Sequence, residues 1–263
     1  MKINYIIATW NGKRFDARVN PKYYEDVLKN HLKLLNEKKH NLSQITIMKP
    51  ISGIDNNYYN IELSGNTKII ECKNEYQSYG QWLKASEKYV DLFDYFIFIE
   101  DDYIPVIDDF DNKLIEIYKE GTYLCSMTWG NGSIFHCGIS NGIISSNTLK
   151  KIINKIDFRE WFNKYEKNNV FAGKGTNFQI PFSRYFVENG IEILDYRDYY
   201  LVDYRNSRQI LDYSKPSAKH KEKIFSPIQT RINEEVCAFE IINLDSALTH
   251  SQLRLKQRTK LYR

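Results

Sequence analysis

Three consecutive carboxylates, Glu100, Asp101 and Asp102, follow directly on an unbroken run of aromatic and β-branched residues at positions 95–99. Such a run is typical of a strand that is buried on both faces, as in a parallel sheet. Ligand sites of open α/β sheets lie at the carboxyl ends of these strands, so the three acids stand where chemistry is expected. A solvated acidic turn without a function is the alternative that the segment by itself leaves open.

A divalent cation is the partner that this acidic segment favours. Adjacent carboxylates repel one another, and they tolerate partial removal from water only when a cation compensates their charge. The segment offers hard oxygen ligands and has no cysteine or histidine close to it in the sequence. Oxygen ligands suit Mg²⁺ or Mn²⁺ better than zinc. We therefore expect one of these two metals as the cofactor.

The composition is that of a globular protein with nearly balanced charge. Of the 263 residues, 42% are hydrophobic and 27% are charged, which is ordinary for a soluble domain. The 37 basic and 33 acidic residues give a net charge of +4, which argues against a nucleic-acid partner and weakly favours an anionic small substrate. No apolar run approaches the roughly 20 residues of a membrane span, and no signal peptide is recognised. We expect a cytoplasmic protein without a transmembrane segment.

The elements that must position the acids alternate between strand and helix in the first half. Apolar runs predict strands at residues 5–9, 45–48, 68–72 and 95–99. Apolar residues at helical spacing predict helices from Pro21 to Lys39, from Ser78 or Tyr79 to Tyr89, and from a cap near Asp108 to Glu120. Strands that alternate with helices of this length indicate crossover connections, and so an α/β fold with a mainly parallel sheet.

The second half has a looser pattern. Strands are predicted at residues 122–128, 138–145, 191–194 and 199–202, and helices at 147–156 and 176–189. The polar stretch from about residue 205 to 235 predicts excursions over the surface. No internal repeat or linker divides the chain, so a single domain over residues 1–263 is expected.

In the order of its motifs the sequence resembles a GT-A type glycosyltransferase. Residues 95–102 resemble the strand that leads into the DxD-type motif of this family, here Glu100-Asp101-Asp102. Residues 74–80 stand where the family has the loop and helix start that face the sugar-nucleotide donor. Residues 138–145 are similar to the glycine-bearing strand beside the acceptor.

The resemblance implies a GT-A (Rossmann-like) fold whose mixed, mainly parallel sheet is flanked by helices. Residues 1–105 would form a nucleotide-sugar-binding half, and residues 106–263 an acceptor-binding half with a C-terminal tail. The implied activity is metal-dependent transfer of a sugar from a UDP- or GDP-sugar to a carbohydrate or glycoconjugate acceptor. A metal ion assists this chemistry because the departing diphosphate carries developing negative charge.

The resemblance also implies roles for individual residues. Asp102 would bind the metal directly and be catalytic, while Glu100 or Asp101 would reach the ribose or a metal-bound water. Glu100 is a second candidate metal ligand, and the C-terminal histidine found in many such enzymes corresponds to His250. The expected donor contacts are Thr9, Trp10, Asn11, Arg14, Asn74, Gln77, Gln81, Glu100 and Asp101, with Trp10 offering a stacking face and Arg14 a phosphate clamp. The expected acceptor contacts are Trp129, His136 and Asn141.

The general base is left open by the sequence. An inverting transferase needs a base that takes the proton of the acceptor hydroxyl, and the family usually supplies an acid near the start of a helix beyond the acceptor strand. Residues 171–179, which correspond to that place, contain no carboxylate. Glu166 and Asp157 are the nearest candidates, and a retaining enzyme without a base on that face is the alternative.

Two other functions compete with sugar transfer. A nucleotidyltransferase acting on a sugar phosphate also combines a parallel sheet, acids and a metal. That class places a glycine-rich basic loop after the first strand, whereas residues 9–14 contain one glycine. A non-catalytic carbohydrate-binding module is the third possibility, and it would not need both a nucleotide half and an acceptor half.

Overall fold

The computed structural model describes residues 1–9, 21–51, 63–73, 75–101, 103–105, 107–125, 141–168, 178–195 and 225–227. Several predicted features, among them the strand at residues 199–202, lie outside this part of the chain. Within the described residues, no helix is both long enough and apolar enough to cross a membrane.

The described residues form fifteen helices and strands, which are numbered here in chain order. The strands are β1 (Ile3–Ala8), β2 (Gln44–Pro50), β3 (Thr67–Cys72), β4 (Tyr95–Glu100), β5 (Tyr103–Pro105), β6 (Thr122–Cys125), β7 (Asn141–Ser145), β8 (Glu192–Asp195) and β9 (Phe225–Pro227). The helices are α1 (Pro21–Asn36), α2 (Gln77–Tyr89), α3 (Phe110–Ile117), α4 (Ser146–Ile153), α5 (Phe158–Asn168) and α6 (Gln179–Val187).

Seven of the strands form one mixed sheet in the order β3-β2-β1-β4-β7-β6-β8. The first four strands in this order are parallel to one another. β7 is antiparallel to both β4 and β6, and β8 is parallel to β6. The predicted α/β class with a mainly parallel sheet is confirmed, and the two predicted halves of the chain meet in this sheet at β4 and β7.

β4 lies at the centre of the sheet and is covered on both faces, as its unbroken apolar sequence predicts. Phe96 and Phe98 point into one core cluster, where the Trp82 ring of α2 stacks on Phe98 with ring centroids 5.6 Å apart. Ile97 and Ile99 point into the other cluster, which α1 and α3 cover. Alternate residues of β4 therefore anchor two cores, and the acids leave the strand between them.

Some predicted boundaries are wrong. α3 begins at Phe110, since the carboxylate of Asp108 accepts a hydrogen bond from the Lys39 amide and does not cap the helix. α5 is not predicted at all. Within the stretch at residues 205–235, which is predicted to form excursions over the surface, residues 225–227 form β9, antiparallel to β5 directly after the acidic segment.

Candidate functional site

The carboxyl ends of β1 and β4 flank the point where the sheet changes direction. From β1 the chain continues to β2 and β3 on one side, and then crosses to β4 on the other side. Open α/β sheets bind ligands in the crevice at such a switch point. Ala8 of β1 pairs with Glu100 of β4, and the Asp101 amide donates to the Ala8 carbonyl at 3.0 Å. Thr9 and Asp101 therefore leave the sheet together at this crevice.

The end of β1 is fixed by a reciprocal pair of hydrogen bonds. The Thr9 amide donates to Gln81 Oε1 at 3.0 Å, and Gln81 Nε2 donates to the Thr9 carbonyl at 2.9 Å. The Thr9 hydroxyl donates to the Met48 carbonyl of β2 at 2.7 Å. Both side chains are buried, so they hold the strand end in place. Their predicted contact with the donor stays a prediction.

Glu100 is held from the α2 side of the sheet. The Ser78 hydroxyl, in the first turn of α2, donates to Glu100 Oε1 at 2.6 Å. One residue earlier on the strand, the Trp82 indole N–H donates to the Ile99 carbonyl at 3.1 Å. Gln77, a predicted donor contact, is half-buried at the start of the same helix. Asp101 follows with only 8% of its surface exposed.

The loop that delivers Ser78 has a strained backbone. Tyr76 and Gln77 both adopt left-handed conformations, with φ of 61° and 57°. Non-glycine residues with this φ are uncommon, and such strain persists only when the surroundings impose it. The loop also folds closely over Gly80, where an added Cβ would collide with the Glu75 carbonyl oxygen.

The second half of the chain supplies the contacts that hold this loop. The Tyr76 hydroxyl donates to Asn163 Oδ1 of α5 at 2.7 Å. Its ring meets those of Phe162 and Phe178 edge-on, with centroids 5.1 Å and 5.4 Å apart. α5 and the start of α6 thereby position a loop that touches the acid at the end of β4.

A buried histidine lies beneath the acidic segment. His31 Nδ1 is 3.0 Å from the Asp101 carbonyl oxygen, and His31 Nε2 is 3.0 Å from the Tyr5 hydroxyl. Desolvation by burial lowers the pKa of His31 to about 4, although the bond to the Asp101 carbonyl acts in the opposite direction. Burial also raises the pKa of Tyr5. Both side chains are therefore neutral at pH 7.

The side of the site next to β7 is described in part. Asn141 begins β7, pairs with Ile99 of β4 and is 1% exposed. Within the part of the chain that the structure describes, its Oδ1 atom has no hydrogen-bond partner. A buried polar atom of this kind is commonly satisfied by a bound water or ligand. Its predicted contact with an acceptor is consistent with this position but is not tested by it.

The two candidate bases lie on or next to α5. The Asp157 carboxylate accepts hydrogen bonds from the Arg159 amide at 2.7 Å and from Arg159 Nη1 at 3.3 Å. Arg159 also pairs with Glu87 at 2.9 Å. Asp157 thus has a structural role at the start of α5, and Glu166 lies in the same helix with its side chain outside the described part.

The remaining predicted site residues lie outside the described residues, and their roles stay predictions: Trp10, Asn11, Arg14, Asn74, Asp102, Trp129, His136 and His250. Two of the three predicted metal ligands are among them. In the described ranges, no group of three or more His, Cys, Asp and Glu side chains is placed to hold a metal ion. The oxygen donor of Glu100 at the switch point fits a hard divalent cation chemically.

No protein-family model and no curated protein matches the sequence. Any functional assignment therefore depends on the residues at the carboxyl ends of β1 and β4.

Sequence reasoning missed the anchoring contacts of His31, Tyr76 and Ser78. His31 falls within the helix predicted from Pro21 to Lys39, and an apolar helix pattern does not show which backbone group a histidine meets. Tyr76 and Ser78 fall within residues 74–80, which the resemblance places facing the donor, but nothing in the sequence links Ser78 to Glu100. The left-handed backbone at Tyr76 has no sequence signal, since glycine or asparagine would be the usual residue there.

Proposed function

We propose that this protein is a metal-dependent glycosyltransferase of GT-A type, which transfers a sugar from a UDP- or GDP-sugar to a carbohydrate or glycoconjugate acceptor. The observation that supports this proposal most directly is the position of Glu100 and Asp101. Both lie at the carboxyl end of the central parallel strand, beside the end of β1, where open α/β sheets bind ligands.

The chain's own residues prepare the crevice for a nucleotide. The Thr9–Gln81 pair fixes the end of β1, so that the segment beginning with Trp10 leaves the sheet from a defined point. Ser78 orients the Glu100 carboxylate, and the hydrogen bond from Tyr76 to Asn163 keeps the loop before α2 in place. A bound Mg²⁺ or Mn²⁺ would neutralise the charge that develops on the departing diphosphate, with Glu100, Asp102 and His250 as its proposed ligands.

The acceptor would bind on the β7 side of the crevice. Asn141 is the described residue placed there, and its Oδ1 atom is available to accept a hydrogen bond from a sugar hydroxyl. Trp129 and His136 are proposed to complete this wall. The stereochemistry is left open, with Asp157 or Glu166 as the base of an inverting enzyme and a retaining mechanism as the alternative.

A product assay tests this proposal. The purified chain is incubated with Mn²⁺, a panel of UDP- and GDP-sugars and simple sugar acceptors, and nucleoside diphosphate and pyrophosphate are both measured. We expect Mn²⁺-dependent release of a nucleoside diphosphate that Asp102→Ala abolishes. Pyrophosphate release from a nucleoside triphosphate and a sugar phosphate would identify a nucleotidyltransferase. Binding of sugar without either product would identify a carbohydrate-binding module.

A further inference from the structure

Both peptide groups that flank Asp101 are held by hydrogen bonds. The amide N–H on one side donates to the Ala8 carbonyl of β1 at 3.0 Å. The carbonyl on the other side is 3.0 Å from Nδ1 of His31, a residue of α1. Two different elements therefore fix the backbone of the middle acid, and the second bond acts on the peptide that leads into Asp102.

The chemistry of the partners determines the tautomer of His31. A carbonyl oxygen can only accept, so Nδ1 must carry the proton. Nε2 then has a lone pair, and it accepts from the Tyr5 hydroxyl at 3.0 Å. Tyr5 in this way selects the tautomer that can hold the acidic segment. Because burial lowers the pKa of His31 to about 4, the ring donates this bond near neutral pH without adding positive charge beside the acids.

We propose that His31 is a positioning residue, whose Nδ1–H fixes the Asp101 carbonyl and so presets the acidic segment in the geometry that binds the metal and the nucleotide. This proposal rests on the proposed function for the identity of the ligand. The anchoring of the backbone does not depend on that identity.

Two substitutions separate the hydrogen bonds of His31. Asparagine has an N–H donor two bonds from Cβ, as Nδ1 is, so His31→Asn keeps the donor to the Asp101 carbonyl and loses the contact with Tyr5. Glutamine has its amide nitrogen three bonds from Cβ, as Nε2 is, so His31→Gln keeps the contact with Tyr5 and loses the donor. Both remove the imidazole ring, and the pair is therefore matched for the loss of packing.

The test measures two quantities for each variant. One is the affinity for a nucleoside diphosphate in the presence of Mn²⁺, and the other is the amide hydrogen-exchange rate at Asp101 and Asp102. We expect His31→Gln to weaken affinity by about 10- to 100-fold, as loss of an outer contact to a ligating group does, and to speed exchange at these amides. The affinity of His31→Asn should stay within about threefold of the wild-type affinity, which is a smaller change than the loss of such a contact causes.

Tyr185→Phe is the control for a purely structural effect. It removes a buried tyrosine hydrogen bond to a backbone carbonyl, that of Ile156 at 2.8 Å, in which no residue of the acidic segment takes part. We expect it to lower the melting temperature and leave nucleotide affinity unchanged.

The outcomes separate this proposal from the proposed function. Equal affinity and equal exchange in His31→Asn and His31→Gln would overturn the positioning role. A wild-type protein that binds no nucleoside diphosphate with Mn²⁺ would overturn the proposed function. In that case faster exchange at Asp102 in His31→Gln alone would still support the anchoring of the segment by His31.

Discussion

The two ends of β4 both carry polar clusters, but different groups are held there. At the amino end the hydrogen bonds converge mainly on a side-chain carboxylate, and at the carboxyl end they are made mainly to backbone groups. At the amino end, Glu120 Oε1 accepts from the hydroxyls of Ser145 at 2.8 Å and Thr148 at 2.7 Å. The Tyr118 hydroxyl joins the same network and donates to the Thr122 carbonyl at 2.9 Å. The carboxylate is here the centre of a closed structural network that also caps α4.

At the carboxyl end, hydrogen bonds fix the backbone of the acidic segment. Trp82 holds the Ile99 carbonyl, and Ala8 and His31 hold the two peptide groups of Asp101. A segment whose backbone is fixed from three elements presents its carboxylates in defined positions. One strand therefore carries a structural acid site at one end and a segment with a fixed backbone at the other, as the proposed donor site would need.

The largest expected difference between the two ends is in the pH dependence of stability. His31 is held neutral in the folded state with a pKa of about 4, below its unfolded value of about 6.5. The unfolded chain therefore binds more protons between these values, and the free energy of unfolding falls as the pH falls from 6.5 to 4. Once His31 is protonated in both the folded and the unfolded state, it has lowered the free energy of unfolding by about 3 kcal/mol.

Urea unfolding at several pH values measures this effect. The difference in unfolding free energy between the wild type and His31→Asn should shrink by about this amount between pH 7 and pH 4. Tyr118→Phe, at the amino end, should show no such trend, because burial raises the pKa of Tyr118 above its ordinary value and keeps it neutral throughout. If the unfolding free energies of the wild type and His31→Asn changed with pH in parallel, His31 would not be held neutral in the folded state.

A smaller difference is expected between two matched acid substitutions. Glu100→Gln should lower Mn²⁺-dependent turnover by about 100-fold with little change in melting temperature, since Glu100 is a proposed metal ligand and is half-buried. Glu120→Gln should lower the melting temperature and leave turnover per folded molecule unchanged, because the amide cannot replace the acceptor of two hydroxyl bonds equally well. Turnover and thermal unfolding of the two variants check both statements. Equal loss of turnover in both would remove the distinction between the two ends.

The smallest effect is expected from two serines that contact these acids. Ser145 caps α4, because its hydroxyl accepts from the Thr148 amide at 3.1 Å, and Ser145→Ala should destabilise the fold by about 1 kcal/mol. Ser78→Ala should lower turnover by roughly tenfold with little loss of stability, because the hydroxyl orients the Glu100 carboxylate. Denaturant midpoints and initial rates measure the two effects. A Ser78→Ala enzyme with wild-type rates would show that Glu100 needs no such orientation.

The sequence predicted the strands of the sheet well because burial on two faces leaves unbroken apolar runs, as at residues 95–99. It missed α5 although Phe158, Trp161 and Phe162 stand at helical spacing, because charged and polar residues make up most of the rest of that segment. It also missed the pairing of β5 with β9. Strands of three residues are too short to show a period, and these two strands are more than 100 residues apart in the sequence. The cap of α3 was misplaced because Asp108 contacts the segment after α1 instead of its own helix.

The candidate site was predictable where function leaves a local pattern in the sequence. The acidic segment at the end of β4 followed from such a pattern, whereas its place beside Thr9 comes from the pairing of β1 with β4. The contacts that hold it did not, because His31 and Ser78 are 70 and 22 residues away from the groups that they bind. Tertiary contacts of this kind have no period and no composition signal, so the anchors of the site required the structure.

Calorimetric titration of the wild type and Asp102→Ala with UDP and with GDP, each in the presence of Mn²⁺, tests most directly whether the end of β4 is a donor site. Binding by the wild type to one of the two nucleotides, dependent on Mn²⁺ and lost in Asp102→Ala while its unfolding temperature is unchanged, is the predicted result. Equal heats of binding in both proteins, or none in the wild type at millimolar nucleotide, would contradict it.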